Sequence, residues 1–272
     1  MAQSDHSARV IPKKYLAPFI LITTCFALWG FANDITNPMV KAFSKILLMS
    51  NFQGSLVQFA FYGGYFVMAF PAAIFIKRFT YKAGILVGLG LYATGALLFI
   101  PASITMVYGV FLVAYFILTC GLSFLETTAT PYILSMGSEE TATQRLNIAE
   151  ASNPIGSLFG MFTAQSIILA RLNPASAQER SIMDPDTLSE VTAHDLGIIR
   201  GPYVAIAFVI LTLLVVIALK KMPRDTDGSN KLELGATFSR LFHNKRYLHG
   251  VLAQFFYVAA QIMCWTFIIH YG

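Results

Sequence analysis

The sequence predicts an all-α protein that crosses a membrane several times. Apolar residues make up 56% of the 272 positions and charged residues only 12%, which is more apolar surface than one soluble core needs. The apolar residues cluster in windows of about 20 residues, a length that spans a hydrocarbon core of ~30 Å as a helix. Lys and Arg fall between these windows or at their first or last residue. We therefore expect a bundle of membrane-spanning helices.

Seven such windows follow one another along the chain. The first is preceded by Arg9, Lys13 and Lys14, but it is longer than a signal-peptide core and lacks a small-x-small cleavage site, so we expect it to be retained. Pairs such as Asn-Pro and Gly-Gly interrupt several windows, which membrane helices tolerate where a neighbour or a cavity satisfies the freed carbonyls. The windows cover residues 15–40, 52–76, 82–101, 104–134, 145–170, 201–220 and 249–271.

A basic stretch separates the first six windows from the seventh. We predict a six-helix bundle over residues 1–220, a cytoplasmic linker over 221–248 and a seventh helix over 249–272 that begins a second bundle. In the loop between windows five and six, Thr187 and Glu190 have the spacing of a capping box, which predicts a short surface helix starting there.

Lys and Arg are distributed unevenly between the two sides of this predicted bundle. Fourteen lie on the side of the N-terminus and five on the other. Because cytoplasmic loops carry the excess of cations, we expect a multi-pass protein of the inner (plasma) membrane with a cytoplasmic N-terminus. The loop of residues 171–200 then faces outward.

Three acids, Asp34, Glu126 and Glu150, lie inside apolar windows. An unpaired acid in hydrocarbon costs at least ~2.5–3.5 kcal/mol, so it is retained where it faces a protein interior or a polar cavity. Asp34 and Glu126 are each followed by a polar residue and a proline, a weak internal repeat of the kind seen at transporter sites. The acids indicate a path for a solute or protons. The alternative is a permanently protonated acid bonded to a backbone carbonyl.

Polar side chains also form stripes at helical spacing in three windows. Amides and carboxylates match the hydroxyl groups of a polyhydroxylated solute, and aromatic rings match the C–H face of a sugar. The alternative is hydrogen bonding between helices, worth about 0.6 kcal/mol per contact. Trp29 and Tyr15 are expected to be core or interfacial anchors. The stripes are Gln58, Tyr62 and Tyr65; Asn147, Glu150, Asn153 and Ser157; and Gln254, Tyr257, Gln261 and Trp265.

Other classes of function find little support. The cations are dispersed through short loops, which argues against a nucleic-acid partner. Cys25, Cys120 and Cys264 lie in apolar windows without a CxxC pair, so neither disulfides, a metal site nor a cofactor is implied. A membrane enzyme would need a nucleophile with a base, and the first six windows contain no histidine.

Longer blocks of the sequence resemble one family. They are NFQGSLVQFAFYGGYF at 51–66, KRFTYKAG at 77–84, GLSFLETTATP at 121–131, QRLNIAEASNPIG at 144–156 and VLAQFFYVAAQIMCW at 251–265. These blocks are similar to those of the fucose-galactose-glucose:proton symporters of the major facilitator superfamily. The resemblance implies twelve helices in two bundles, alternating access and sugar uptake driven by protons. It also implies that the chain is a fragment ending one helix into the second bundle.

The resemblance assigns roles to particular residues. Glu126, in the Leu-Glu-Thr block, corresponds to the family's proton-linked residue that contacts sugar. The family's acid in the first span falls at Asn37, one turn after Asp34, and a glutamine stands where this chain has Glu150.

The sequence therefore predicts a proton-coupled symporter of L-fucose or a related hexose or deoxyhexose, acting as a monomer in the lipid bilayer. An uncoupled channel or a membrane sugar sensor is the alternative. Glu126 and Asp34 are the expected proton-coupling residues. The expected sugar-binding residues are Asn37, Glu126, Glu150, Asn153, Gln254, Tyr257, Gln261 and Trp265.

Overall fold

The computed structural model describes residues 9–223 and 234–271, and the side chains of Asn51, Ser55, Leu234 and residues 265–271 lie outside that description. Within these ranges the chain is helical and contains no strand, which confirms the predicted all-α class. The α-helices are α1 Leu16–Ile46, α2 Asn51–Arg78, α3 Tyr81–Leu97, α4 Phe99–Thr105, α5 Tyr108–Ser135, α6 Ala142–Glu150, α7 Asn153–Phe162, α8 Ala177–Ser181, α9 Pro185–Leu219, α10 Leu234–His243 and α11 Lys245–Tyr271.

Six helical segments in the described ranges are long and apolar enough to cross a membrane. They are α1, α2, α3 with α4, α5, α9 and α11, and each coincides with a predicted window. Two reach well beyond their windows, because α1 continues to Ile46 and α9 begins at Pro185.

The fifth window is not one continuous helix. α6 ends at Glu150, a turn follows, and α7 begins at Asn153 with Pro154 in its first turn. Proline has no N–H to continue the hydrogen bonds of α6, so the chain restarts there. α7 then runs into a π-helix over Thr163–Ile168, in which each turn holds an extra residue. The predicted polar stripe of this window therefore crosses a break.

The helix expected to start at Thr187 was wrongly placed. Asp184 caps α9 instead, because its carboxylate accepts hydrogen bonds from two N–H groups of the first turn at 3.2 and 3.4 Å, and Pro185 suits the first helical position. The loop's capping box lies in α8, where Ser176 and Glu179 bond reciprocally at 3.2 and 2.6 Å. The Ser176 backbone N–H, followed by its hydroxyl, lowers the pKa of Glu179.

Glycines allow the closest helix contacts in the bundle. A Cβ on Gly156 of α7 would overlap the carbonyl of Ala27, and one on Gly30 of α1 would overlap the carbonyl of Asn153. Small residues let two membrane helices approach until their backbones touch. α1 and α7 are therefore in backbone contact next to Phe26 and Trp29 of α1.

Arg145, at the start of the fifth predicted window, is fully buried. Its guanidinium donates to the carbonyls of Ile133, Leu134 and Ser138 at 3.3, 2.7 and 3.0 Å, and to the hydroxyl of Thr141 at 2.7 Å. These bonds tie α6 to the end of α5.

A second buried arginine holds the loop before α9. Arg180 and Asp195 are both fully buried, and their nearest side-chain atoms lie 2.5 Å apart. Asp195 also accepts a bond from the Asn173 N–H at 2.9 Å, and Lys45 of α1 donates to the Asn173 carbonyl at 2.9 Å. The loop is therefore anchored to the C-terminal end of α1 and to Asp195 in the first third of α9.

The chain divides into two compact units, Met1–Gly228 and Ser229–Gly272. The first contains α1 to α9, with a core of large apolar side chains such as Phe43, Phe99 and Tyr115. The second contains α10 and α11, whose described side chains are mostly exposed.

Candidate functional site

α5 exposes one acidic side chain on an otherwise covered stretch. Residues 121–125 are buried, whereas Glu126 is exposed. Glu126 borders a small pocket between the first and fourth predicted spans. The pocket is lined by Cys25, Phe26 and Trp29 of α1 and by Leu125, Glu126 and Ala129 of α5.

Trp29 is the aromatic wall of this pocket. Its indole N–H donates to the Tyr65 hydroxyl at 2.6 Å, and the ring of Phe26 meets it edge-on. Tyr65 lies near enough to Glu126 for the two groups to interact electrostatically. The indole is therefore held in a fixed orientation beside the carboxylate.

Trp29 is predicted from sequence to be core or an interfacial anchor, and it is not among the predicted site residues. The hydrogen bond that fixes it joins residues 36 positions apart, which periodicity within one helix does not reveal. The available signal was Tyr65, a member of the polar stripe of the second span whose hydroxyl needs a partner in an apolar environment.

Glu126 and Glu150 lie within electrostatic range of each other although they belong to different predicted spans. Both side chains are exposed, and the two carboxylates are close enough to interact electrostatically. Neither forms an ion pair with any residue that the structure describes. Glu150 is the last residue of α6, immediately before the break in the fifth span. The site thus contains two carboxylates of like charge without a cation in contact.

Asp34 and Asn37 lie further along α1, in a second polar group. Asn37 is eight residues from Trp29, which is about 12 Å along a helix. Its side-chain oxygen accepts a bond from Gln58 of α2 at 3.3 Å, while the half-buried Asp34 interacts electrostatically with Tyr62. The polar stripe of the second span therefore faces Asp34 and Asn37 of the first span.

Asn153 belongs to the polar stripe of the fifth span, and it also connects α7 to α1. Its side-chain N–H group donates to the Phe26 carbonyl at 3.3 Å, and the adjacent Ser152 hydroxyl donates to the Thr23 carbonyl at 2.9 Å. Hydrogen bonding between helices, the alternative to sugar binding, is thus present at this residue. The side-chain oxygen of Asn153 is left as an acceptor for a ligand.

The remaining candidates lie on α11 in the second unit. Gln254 and Tyr257 are exposed and Gln261 is half-buried. The side chain of Trp265 lies outside the described residues. Their role in sugar binding stays a prediction.

The model of the family described as Major Facilitator Superfamily matches residues 21–272. The chain belongs to the major facilitator superfamily. This membership confirms the fold class and the superfamily resemblance predicted from sequence, and it makes the chain a multi-pass membrane protein.

Two relatives within the superfamily are named for fucose. The L-fucose-proton symporter of Haemophilus influenzae is 50% identical over 98% of this chain and 64% of its own length. The L-fucose-proton symporter of Escherichia coli is 38% identical over 96% of this chain and 60% of its own length. The chain therefore spans about three fifths of the length of these relatives. Both carry the names of transporters rather than of enzymes.

A solved structure has the same fold. The crystal structure of the Escherichia coli fucose:proton symporter matches with a TM-score of 0.82 and 37% identity, over 95% of this chain and 63% of that one. The arrangement of helices described above is therefore that of a superfamily transporter.

Proposed function

We propose that the full-length protein is a proton-coupled symporter of L-fucose or a related hexose or deoxyhexose, working by alternating access. One observation carries the proposal: the exposed carboxylate of Glu126 shares a pocket with the indole of Trp29 and is free of any ion pair with the described residues. A sugar offers hydroxyl groups to a carboxylate and an apolar C–H face to an aromatic ring. The names of the two relatives support the same function.

The free-energy costs of the protonated and charged forms explain how such a carboxylate carries a proton. Protonating a glutamate with an ordinary pKa of about 4.3 at pH 7 costs roughly 3.7 kcal/mol. Keeping the charged form at mid-membrane costs at least ~2.5–3.5 kcal/mol. Because the two costs are similar, a change in hydration as the cavity opens or closes is enough to load or release the proton. We assign this role to Glu126, with Asp34 as the second proton-linked group.

The other polar residues supply sugar contacts. Asn37, Glu150 and Asn153 are the proposed contacts in the first unit. The sugar-binding roles of Gln254, Tyr257, Gln261 and Trp265 are proposed from the sequence alone. Glu150 distinguishes this chain, because its carboxylate accepts hydrogen bonds but donates none unless protonated, whereas a glutamine does both. We expect the pattern of preferred hydroxyl groups to depend on this residue.

We further propose a monomer in the inner membrane. The fourteen-to-five distribution of Lys and Arg supports a cytoplasmic N-terminus. In a protein without native cysteines, Ser181→Cys should react with an impermeant thiol reagent from outside the cell. Ser239→Cys should react only after the membrane is opened. Equal labelling of both in intact cells would contradict this orientation.

Proton coupling is tested in liposomes that contain the full-length protein. Adding L-fucose outside should make the external medium more alkaline, because each sugar enters with a proton. A channel would pass sugar without a change in external pH, and a sensor would bind sugar without passing it.

A further inference from the structure

A groove separate from the sugar site runs between the fifth and sixth spans. One wall is the end of the fifth span, with Thr163 and Ile167 in the π-helix and Arg171 just beyond it. The other wall is one face of α9, where Gly197, Gly201 and Ala205 recur every four residues. The groove has a volume of about 580 Å³, within the range of sites that bind small molecules, roughly 300–1,000 Å³.

The α9 wall is open rather than packed. A Cβ built on Gly197 or Gly201 meets no atom within 4 Å, whereas one on Gly30 or Gly156 would overlap a neighbouring backbone. The glycines of α9 therefore do not serve contact between helices within the described part of this chain. They leave a channel along a face of a membrane-spanning helix.

The opposite wall is apolar despite its threonine. The Thr163 hydroxyl donates to the Phe159 carbonyl at 2.7 Å, so its hydrogen is already used within the helix. Arg171 is the charged residue of the lining, and the lining contains no acid. The groove thus combines an apolar channel with a single cationic group.

Arg171 lies where a lipid headgroup would be found. It ends the fifth span next to the loop of residues 172–184, it is exposed, and it forms no hydrogen bond or ion pair with a residue the structure describes. A guanidinium binds a phosphate oxygen pair through two parallel hydrogen bonds. An apolar channel that ends at a guanidinium is complementary to a phospholipid, because the channel matches the acyl chain and the guanidinium matches the phosphate.

We propose that this groove binds one phospholipid of the adjacent leaflet, with its phosphate on Arg171 and an acyl chain along Gly197, Gly201 and Ala205. A second copy of the chain is the competing occupant. Packing two copies by this same face would bury Arg171 without providing an acid from that face, because a two-fold interface presents the same residues from each side. A phospholipid supplies the missing anion.

The test uses purified full-length protein in detergent, titrated with phosphatidylglycerol and followed by native mass spectrometry. We expect one lipid adduct that persists at activation energies where others dissociate. Arg171→Gln should weaken that adduct roughly tenfold to hundredfold, the effect of losing a hydrogen bond to a charged group. Gly201→Leu should weaken it at least about tenfold, because the leucine side chain would occupy the channel proposed for the acyl chain. Arg171→Lys should lose less than Arg171→Gln.

Matched controls separate the groove from general effects of the substitutions. Gly109→Leu adds the same side chain at another helical glycine with nothing within 4 Å of its Cβ, and it should leave the adduct unchanged. A diacylglycerol with the same chains but no phosphate should bind at least about tenfold more weakly than phosphatidylglycerol. Thermal unfolding of each variant confirms that it folds.

Three results would overturn the proposal. Unchanged affinity of Gly201→Leu for phosphatidylglycerol would place the lipid elsewhere. Inorganic phosphate that displaces the lipid at equal concentration would show a site for a free anion. Efficient cross-linking of Gly201→Cys between two copies would show that a second chain fills the groove.

Discussion

Asp195 and Glu126 are both acids within the first unit, but their surroundings are opposite. Asp195, in the first third of α9, is fully buried, with one oxygen on Arg180 and the other on the Asn173 N–H. Glu126, in the second half of α5, is exposed, borders an apolar pocket and interacts with another carboxylate, Glu150.

These surroundings give the two acids different roles. The charge of Asp195 maintains the structure, whereas Glu126 is free to gain or lose a proton. Removing the Asp195 carboxylate, or neutralising it with a proton, would leave the buried guanidinium of Arg180 without an anion, which would destabilise the fold. Glu126 has no such partner among the described residues, so gaining a proton disturbs no ion pair. The same reasoning makes Arg145 structural, since its guanidinium is surrounded by carbonyls and a hydroxyl of the chain.

The largest effect should follow from breaking the buried pair. Asp195→Ala leaves Arg180 buried and unpaired, which should lower the free energy of unfolding by about 3–5 kcal/mol. Replacing both residues, by Arg180→Met with Asp195→Leu, should recover most of that loss. Glu190→Ala, on an exposed acid of the same helix, is the control and should change stability by less than about 0.5 kcal/mol. Thermal unfolding in detergent measures all four proteins.

Equal stability of Asp195→Ala and the wild type would show that the ion pair contributes little. Asp195 would then not be an acid whose charge maintains the structure.

A smaller effect, on specificity rather than stability, is expected at Glu150. Glu150→Gln should change the ratio of affinities for fucose and galactose by about tenfold, because it replaces a hydrogen bond to a charged group by a weaker one to a neutral amide. Proton movement should continue, because Glu126 is intact. Competition of labelled fucose uptake by fucose, galactose and arabinose gives the ratio, with Glu190→Gln as the control. Unchanged affinity for all three sugars would reassign Glu150 to structure.

The smallest effect concerns the amide pair of Asn37 and Gln58. If their 3.3 Å hydrogen bond only joins α1 to α2, a double-mutant cycle with alanine should give a coupling energy of about 0.6 kcal/mol in the free energy of unfolding. Neither alanine substitution should then change the affinity for sugar. If Asn37 binds sugar, Asn37→Ala weakens affinity more than Gln58→Ala does. We expect the second outcome, measured by binding to purified protein.

Sequence reasoning worked best where composition and length decide the answer. Six apolar windows matched helices, because about 20 apolar residues have few alternatives to spanning a membrane. It worked less well at helix ends, where one side chain decides. Asp184 rather than Thr187 caps α9, since Pro185 directly after it fits the first turn.

The candidate site was only partly predictable. The acids were visible because a carboxylate is rare in an apolar window. The Trp29–Tyr65 hydrogen bond and the Arg180–Asp195 pair were not, because each depends on how separate segments meet. The break after Glu150 was signalled by Asn153-Pro154 but was expected to be absorbed within one helix.

The central claim is that Glu126 carries the coupled proton, and Glu126→Gln tests it most directly. Glutamine keeps the shape of the side chain and much of its hydrogen bonding but does not take up and release a proton at physiological pH. The measurement compares two activities of the full-length protein in the same liposomes: accumulation of labelled L-fucose driven by a pH gradient, and exchange of internal for external L-fucose without a gradient.

We predict that Glu126→Gln abolishes accumulation and retains exchange, with unfolding temperature unchanged and with sugar affinity no longer dependent on pH. A variant that still concentrates L-fucose, and still carries protons inward as it does so, would contradict the claim. Glu126 would then be structural, and Asp34 would become the candidate proton carrier.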